Sequence, residues 1–127
     1  MDKVIRKILM NYLEKRINDE CDRKYRVLIY EPDYDSTKFS ISVTPSCTNC
    51  FEMTNDTIDG YYILRDILIE DGMLEKEGDR YLNAYIENLE NGYTADLDND
   101  VKIDVFTIEK LNNYAAMVRM KGYSCDE

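Results

Sequence analysis

The sequence predicts an α+β fold, in which a small antiparallel sheet of about three strands is packed by three to four helices in a single compact domain. Three observations support this prediction. The chain has 127 residues, the size of one ordinary domain, and 44% of them are hydrophobic, enough for a core. Apolar residues recur at helical spacing in several segments, and β-branched and aromatic runs lie between these segments. No internal repeat or low-complexity linker divides the chain, so we expect residues 1–127 to form one domain.

The first third of the chain predicts a helix followed by a hairpin. Residues 2–18 carry apolar side chains at steps of three and four with Lys and Arg between them, which is typical of an amphipathic helix. Residues 25–30 and 38–44 are β-branched and aromatic runs joined by a turn-forming segment, so we expect an antiparallel hairpin over 25–44. Residues 45–55 have no clear period and are predicted to be a loop.

The central part of the chain, residues 57–100, is predicted to be an acidic helical region. Residues 57–70 are rich in large apolar side chains, which favours a mostly buried helix. A Glu-Gly-Asp turn within 73–82 resembles the wing of a winged-helix domain, but the spacing of apolar residues from Leu82 onward is helical. We favour a helix over 79–91, because strands occupy the place of the two preceding helices of a winged-helix domain.

The last part of the chain predicts one strand and one helix. Residues 101–106 alternate between apolar and polar side chains, which indicates a third strand. Thr107 is placed to cap a helix that ends at about Lys121. The apolar side of this helix is expected to consist of Ile108, Leu111, Tyr114, Ala115 and Val118. We expect the tail after Tyr123 to be frayed.

The charge is strongly acidic and unevenly distributed. The chain has 26 acidic and 16 basic residues, a formal net charge of −10. Residues 52–109 contain 16 acidic and 4 basic residues, whereas residues 1–30 carry a net charge of +3. An acidic surface repels nucleic acid and anionic lipid and attracts basic proteins. We therefore expect a basic protein as partner, and neither direct nucleic-acid binding nor membrane binding.

The N-terminal helix has basic residues that allow more than one interpretation: Lys3, Arg6, Lys7, Lys15 and Arg16. Acidic residues interrupt this set, so a solvated helix face is favoured over an RNA or phosphate site. The same face could contact the acidic region of a second copy, which leaves a homodimer open.

Several classes of chemistry are disfavoured by composition. The chain contains no His, which removes Ser-His, Cys-His and His-metal mechanisms. It has only 5 Gly and no loop that could cradle a phosphate. We therefore expect a non-enzymatic protein without a cofactor. The sequence has no apolar run of about 18 residues and no export signal, so we expect a cytoplasmic protein with reduced thiols.

Two patterns resemble metal sites. Four carboxylates occupy positions 1, 3, 5 and 9 of a twelve-residue loop, which resembles the first half of an EF-hand or dockerin calcium loop: Asp96, Asp98, Asp100 and Asp104. Val101 stands where that loop needs Gly, and Thr107 stands where it needs a bidentate carboxylate, so an acidic turn is the preferred interpretation.

The second pattern is Cys47-x-x-Cys50, which resembles half of a zinc knuckle. Cys21 and Cys125 would have to complete the site, but they lack knuckle spacing. Free thiols are therefore the default interpretation, and zinc is left open.

Tyrosine is abundant and tryptophan is absent. The chain has 11 Tyr and no Trp. Tyr81 and Tyr93 lie within the acidic stretch, where an exposed Tyr suits a protein-binding surface and equally suits packing at the edge of the core.

The sequence therefore predicts a binding protein that acts as an inhibitor. Carboxylates spaced along a helix and a turn can replace backbone phosphates in a groove that binds nucleic acid through Lys and Arg. In being small, acidic and free of catalytic motifs, the chain resembles the nucleic-acid-mimicking inhibitors of phages, the anti-CRISPR and anti-restriction proteins. This resemblance implies that the partner is a nucleic-acid-processing enzyme. The predicted partner-binding residues are Asp66, Glu70, Asp71, Glu75, Glu77, Tyr81, Glu87, Glu90, Tyr93, Asp96, Asp98, Asp100 and Asp104.

Three alternatives stay open at this point. The same acidic surface would suit an immunity protein that neutralises a basic toxin nuclease. The Asp96 to Asp104 turn or the cysteines would suit a calcium- or zinc-binding interaction module. The acidic surface could also serve solubility alone, in a domain with no inhibitory role.

Overall fold

A computed structural model describes residues 3–31, 37–46, 53–92 and 100–123 of the chain. In chain order, the helices and strands of these ranges are α1 (Lys3–Asp19), β1 (Tyr25–Tyr30), β2 (Ser40–Pro45), α2 (Met53–Glu70), α3 (Arg80–Glu90), β3 (Asp100–Lys102) and α4 (Ile108–Met120). The predicted α+β fold, an antiparallel sheet of about three strands packed by three to four helices, is confirmed: the described residues form three strands and four helices.

The sheet has the strand order β1-β2-β3, and both strand pairs are antiparallel. Val27 lies opposite Val43, and Ile41 lies opposite Val101, so the apolar residues of the three strands share one face. Side chains of α1 cover part of the free edge of β1. The Asn18 side chain accepts a hydrogen bond from the backbone N–H of Tyr25 at 2.7 Å, and Glu14 accepts one from that of Val27 at 3.1 Å. These contacts occupy backbone donors that another strand could otherwise pair with.

The helices pack around the apolar face of this sheet. α1 packs against β1, α2 packs against β2, and α3 packs against α2 and β3, while α4 packs against α1. Tyr rings fill much of the core: Tyr12, Tyr25, Tyr61 and Tyr114 are each at most 2% exposed. Many of the 11 tyrosines are therefore core residues rather than surface contacts, because a buried phenol contributes a large apolar ring.

Gly60 allows α2 to approach the sheet closely. A Cβ atom at residue 60 would lie 2.7 Å from Cε1 of Tyr25 and 2.9 Å from Cγ1 of Val43. The Tyr25 ring cannot move away easily, because its hydroxyl donates a hydrogen bond of 2.7 Å to the backbone oxygen of Asp56. Glycine ordinarily weakens a helix interior, but packing requires it at residue 60.

The prediction for α1 is confirmed. The two predicted strands do pair antiparallel, but the second spans Ser40–Pro45 instead of 38–44, and the turn predicted between them lies partly outside the described residues. The start of α2 was predicted wrongly. The helix begins at Met53, so the predicted loop over 45–55 is wrong at its last residues. Asp56 faces inward at 4% exposure and forms an ion pair with Arg23. Asp56 occupies an inward-facing position of the helix but is not an apolar residue. The spacing of apolar residues therefore did not indicate a helix before Thr57.

Residues 73–82 do not form the hairpin of a wing. Residues 73–79 form turns and irregular backbone, and residues 80–82 already belong to α3, whose apolar side consists of Leu82, Tyr85, Ile86 and Leu89. The helix favoured over 79–91 is confirmed, with Asp79 as its N-cap and Asn91 as its C-cap.

The third strand is shorter than predicted. β3 ends at Lys102, because the backbone N–H of Phe106 donates to the oxygen of Ile103 at 2.9 Å and turns the chain. The backbone N–H of Asp104 donates to a side chain instead of to a strand.

The helix expected after Thr107 is confirmed as α4. Ile108 was predicted to lie on its apolar side, but it is the first residue of the helix and is 51% exposed.

Candidate protein-binding surface

A buried carboxylate fixes the start of α3. Asp79 is 4% exposed, and its Oδ2 accepts hydrogen bonds from the backbone N–H groups of Tyr81 at 2.9 Å and Leu82 at 3.1 Å. Its Oδ1 accepts the backbone N–H of Asp104 at 2.7 Å. Asp79 therefore satisfies two N–H groups of the first turn of α3 and also anchors the turn that follows β3.

Side chains join α2 to α3 along their length. The Tyr62 hydroxyl donates to Oε1 of Glu90 at 2.9 Å, and this hydrogen bond raises the pKa of Tyr62. The Arg65 guanidinium lies over the Tyr62 ring, 4.8 Å from its centroid, and donates to Oδ1 of Asn83 at 2.8 Å. Because the two helices are joined at both contacts, their outer sides form one continuous surface.

This surface carries negative charge that the protein itself does not neutralise. Of the ten acidic residues in 53–92, five are buried or form ion pairs with Arg or Lys outside this range and do not belong to the surface: Asp56, Asp59, Glu70, Asp71 and Asp79. Exposed carboxylates without an ion pair to any described residue lie on α2 (Asp66), in the connection between the helices (Glu75 and Glu77) and on α3 (Glu87). Together with exposed Glu90, we call these residues the acidic surface. The acidic surface is therefore available to an external cation.

Asp71 was predicted to belong to this surface, but its side chain is only 3% exposed. Its Oδ2 accepts hydrogen bonds from the hydroxyls of Tyr12 at 2.6 Å and Tyr114 at 2.7 Å. Arg16 and Lys121 lie 3.5 and 3.4 Å from its Oδ1. Asp71 thus joins the end of α2 to α1 and α4 and cannot contact a partner, so we exclude it from the acidic surface.

The electrostatics of Asp71 agree with this structural role. Burial alone would raise the pKa of its carboxyl group, but the hydrogen bonds from Tyr12 and Tyr114 and the charges of Lys121 and Arg16 hold that pKa below its ordinary value. Burial, reinforced by the hydrogen bond to Asp71, raises the pKa of the Tyr114 phenol. The carboxylate is therefore ionised and both phenols are neutral near pH 7.

Two of the other predicted carboxylates form ion pairs within the protein, and one predicted tyrosine is exposed. Glu70 is exposed but lies 3.2 Å from Arg16. Asp104 lies 3.3 Å from Arg80 and 3.6 Å from Lys38, so its charge is largely compensated. Tyr81 is 39% exposed, and the Arg80 guanidinium lies over its ring. Tyr81 thus remains accessible at the rim of the acidic surface.

The remaining predicted residues cannot be placed. Tyr93, Asp96 and Asp98 lie outside the described residues, and Asp100 begins β3 with a side chain that is not described. The calcium hypothesis is therefore open at three of its four carboxylates. Across 3–31, 37–46, 53–92 and 100–123, no three His, Cys, Asp or Glu side chains come together as a metal site would require.

The zinc hypothesis rests largely on residues outside the described ranges. Cys47, Cys50 and Cys125 all lie there. Cys21 is a free thiol that lies 3.4 Å from the backbone oxygen of Ile17 and 3.3 Å from that of Arg23. The described part of the chain thus gives zinc no further support.

Sequence reasoning missed two residues that shape the surface, Asp79 and Tyr62. Asp79 gave a recognisable signal, because Asp immediately before an amphipathic run is a preferred N-cap. The contact of Tyr62 with Glu90 had no such signal, since the two residues are 28 positions apart and meet only when α3 packs on α2.

Comparisons with protein-family models, curated proteins and solved structures find no match to this chain. Among the helices of the described residues, none has the length and apolar character needed to span a bilayer.

Proposed function

We propose that the protein binds a basic surface of another protein through the acidic surface and inhibits it by occupying its nucleic-acid-binding groove. The observation that carries this proposal is the set of exposed carboxylates, Asp66, Glu75, Glu77 and Glu87, that have no cation of their own among the described residues. Elsewhere in the structure, Arg6, Arg16, Arg23, Arg80 and Lys121 form ion pairs with carboxylates. Ion pairs thus occur only outside the acidic surface, where Glu20, Asp22 and Glu109 are the exposed carboxylates of the described residues that lack one.

The arrangement is unfavourable for the isolated protein. Glu87 and Glu90 are three residues apart on α3, and side chains at this spacing are neighbours on a helix. Like charges at such positions destabilise a helix by about 0.2–0.5 kcal/mol per pair. A cationic partner would reverse the sign of this contribution, because each carboxylate would then contact a Lys or Arg.

A rigid acidic surface also suits the target that we propose. A groove that binds nucleic acid uses Lys and Arg to contact successive phosphates. The helix α3, which separates Glu75 and Glu77 from Glu90, has 11 residues and is about 16 Å long at 1.5 Å per residue. Because α3 is capped by Asp79 and joined to α2, its backbone is fixed, and the hydrogen bond from Tyr62 orients the Glu90 carboxylate before a partner binds.

The test compares two variants of equal charge. In the site variant, Asp66→Asn, Glu75→Gln, Glu77→Gln and Glu87→Gln remove four exposed carboxylates from the acidic surface. In the control variant, Asp19→Asn, Glu20→Gln, Asp22→Asn and Glu31→Gln remove four exposed carboxylates from the end of α1 and the end of β1. Both variants change the net charge by the same amount, so only the position of the charge differs.

The three proteins are immobilised and exposed to a bacterial lysate at about 0.1 M salt and at about 0.5 M salt, where the Debye length falls to about 4 Å. We expect the wild type and the control variant to retain the same basic nucleic-acid-processing protein at low salt, and the site variant to lose it. At about 0.5 M salt, the wild type and the control variant should each retain less of this protein. Equal retention of that protein by all three, or retention of no basic protein by the wild type, would contradict the proposal.

A further inference from the structure

The long edge of the described sheet is the strand β1. Among the described residues β1 pairs only with β2, and the strand at the opposite edge, β3, has only three residues. β1 has the sequence Tyr-Arg-Val-Leu-Ile-Tyr, which is rich in β-branched and aromatic residues, carries one charge and contains neither Pro nor Gly. Segments of this composition form cross-β assemblies when they lie on an open edge. β1 is therefore the strand of this sheet that is most able to bind a further strand.

Every second residue of β1 directs its backbone N–H and C=O groups away from β2. Val27 lies opposite Val43, whose own backbone N–H donates to the Tyr61 hydroxyl at 3.1 Å and therefore points away from β1. At such a position of an antiparallel pair, both residues direct their backbone groups outward. Val27, and Tyr25 two positions before it, thus present their backbone groups at the free edge.

Two side chains of α1 bind these backbone groups as a neighbouring strand would. Oδ1 of Asn18 accepts the N–H of Tyr25 at 2.7 Å, and Nδ2 of Asn18 donates to the backbone oxygen of Tyr25 at 3.2 Å. The Glu14 carboxylate accepts the N–H of Val27 at 3.1 Å. A residue of an antiparallel strand makes the same pair of hydrogen bonds that Asn18 makes, one as acceptor and one as donor.

α1 also follows β1 in register. Successive contacts are four residues apart on α1 and two residues apart on β1, which corresponds to about 6.0 Å along the helix and about 6.7 Å along the strand. Farther along, Nη1 of Arg6 lies 3.5 Å from Oε1 of Glu31. Arg6 is eight residues before Glu14, and Glu31 is four residues after Val27, so the two spans are again similar, about 12 and about 13 Å. The helix therefore runs antiparallel to β1 along the whole strand.

We infer that Asn18 and Glu14 protect the β1 edge, because they occupy the backbone groups through which a further strand would bind. This protection keeps the strand-forming segment Tyr25–Tyr30 of one copy from pairing with the same segment of another copy. The inference does not depend on the proposed function, because neither α1 nor β1 carries a residue of the acidic surface.

The test compares two double variants of the same helix. In the edge variant, Asn18→Ala and Glu14→Ala remove the side chains that bind the backbone of β1. In the ion-pair variant, Lys15→Ala and Asp19→Ala remove an exposed pair whose charged atoms are 3.2 Å apart and which does not contact β1. Both variants replace two polar side chains of α1 with Ala, so they differ in whether the edge loses its hydrogen bonds.

Two measurements are made on the wild type and on both variants. Hydrogen exchange followed by NMR should show the amides of Tyr25 and Val27 exchanging at least about tenfold faster in the edge variant than in the ion-pair variant. Thioflavin T fluorescence and light scattering should show that the edge variant assembles into particles rich in β-sheet, while the wild type and the ion-pair variant stay dispersed.

A third variant separates loss of the edge hydrogen bonds from loss of stability, because partial unfolding also promotes assembly. Asp79→Ala destabilises the start of α3 and leaves Asn18 and Glu14 in place. Urea is added so that the edge variant and Asp79→Ala have the same folded fraction, and the edge variant should then still assemble faster. An edge variant that stays as dispersed as the wild type, or that assembles no faster than Asp79→Ala at equal folded fraction, would overturn the inference.

Discussion

Replacing Asp71 with Ala should destabilise the protein by about 3 kcal/mol. The substitution leaves the hydroxyls of Tyr12 and Tyr114 without their acceptor, and it removes the partner of Arg16 and Lys121. Removing one partner from a buried charged pair costs about 3–5 kcal/mol. We expect the lower end, because the side chains of Arg16 and Lys121 are 19% and 43% exposed and can be hydrated.

The adjacent residue provides the control. Glu70 is also a carboxylate near Arg16, but its side chain is 70% exposed, so Glu70→Ala should cost less than about 1 kcal/mol. Urea unfolding monitored by circular dichroism measures both free energies, and the midpoint of thermal unfolding of Asp71→Ala should fall by about 10 °C. Equal losses for the two variants, or a loss below about 1 kcal/mol for Asp71→Ala, would refute the assignment of a buried anchoring role to Asp71.

The same carboxylate gives a pH dependence of known sign. The pKa of Asp71 is lowered in the folded protein, below the unfolded value of about 3.9. The stabilisation by its charge is therefore fully present above that unfolded value and is lost as pH falls through the lower folded pKa. The difference in unfolding free energy between wild type and Asp71→Ala should shrink as pH falls from about 5 to about 2. A difference that stays constant over this range would contradict the origin that we assign to it.

Two further substitutions test the packing that positions the acidic surface. Gly60→Ala should destabilise the protein by about 1–3 kcal/mol, because the new Cβ would clash with Tyr25 and Val43. Helix propensity alone would favour Ala by about 1 kcal/mol, so a gain in the free energy of urea unfolding would show that the clash is absent. Asp79→Ala should lower the free energy of unfolding by about 2 kcal/mol and reduce the helical circular dichroism signal, because the α3 cap and the hydrogen bond to the backbone of Asp104 are both lost. Unchanged stability would show that neither hydrogen bond contributes to it.

The parts of the fold that sequence predicted well are those in which apolar spacing alone decides the structure. α1 and α3 have their apolar residues on one side, and a residue with cap preference precedes α3. The predicted beginning of α2 and the predicted end of β3 were wrong, because tertiary contacts determine both positions. Asp56 is buried by its ion pair with Arg23, and Asp104 turns away from the sheet to reach Asp79.

The acidic surface was only partly predictable for a similar reason. Local sequence shows that Asp66, Glu75 and Glu87 are acidic, and their exposure follows from their positions away from the apolar spacing. Sequence gives no indication that Asp71 differs from these residues. Its hydroxyl donors, Tyr12 and Tyr114, lie 59 and 43 positions away, and only the packing of α1 and α4 on the end of α2 brings them together.

The most direct test of the central claim is a competition measurement on the basic protein that we expect the wild type to retain from the lysate. A fluorescently labelled nucleic acid is bound to that partner, and its anisotropy is followed as the wild type, the site variant or the control variant is added. The proposal predicts that the wild type and the control variant displace the nucleic acid, that the site variant does so at least about tenfold less well, and that added salt weakens the competition. Nucleic acid that stays bound while the wild type binds the same partner would contradict the claim that the acidic surface occupies the groove.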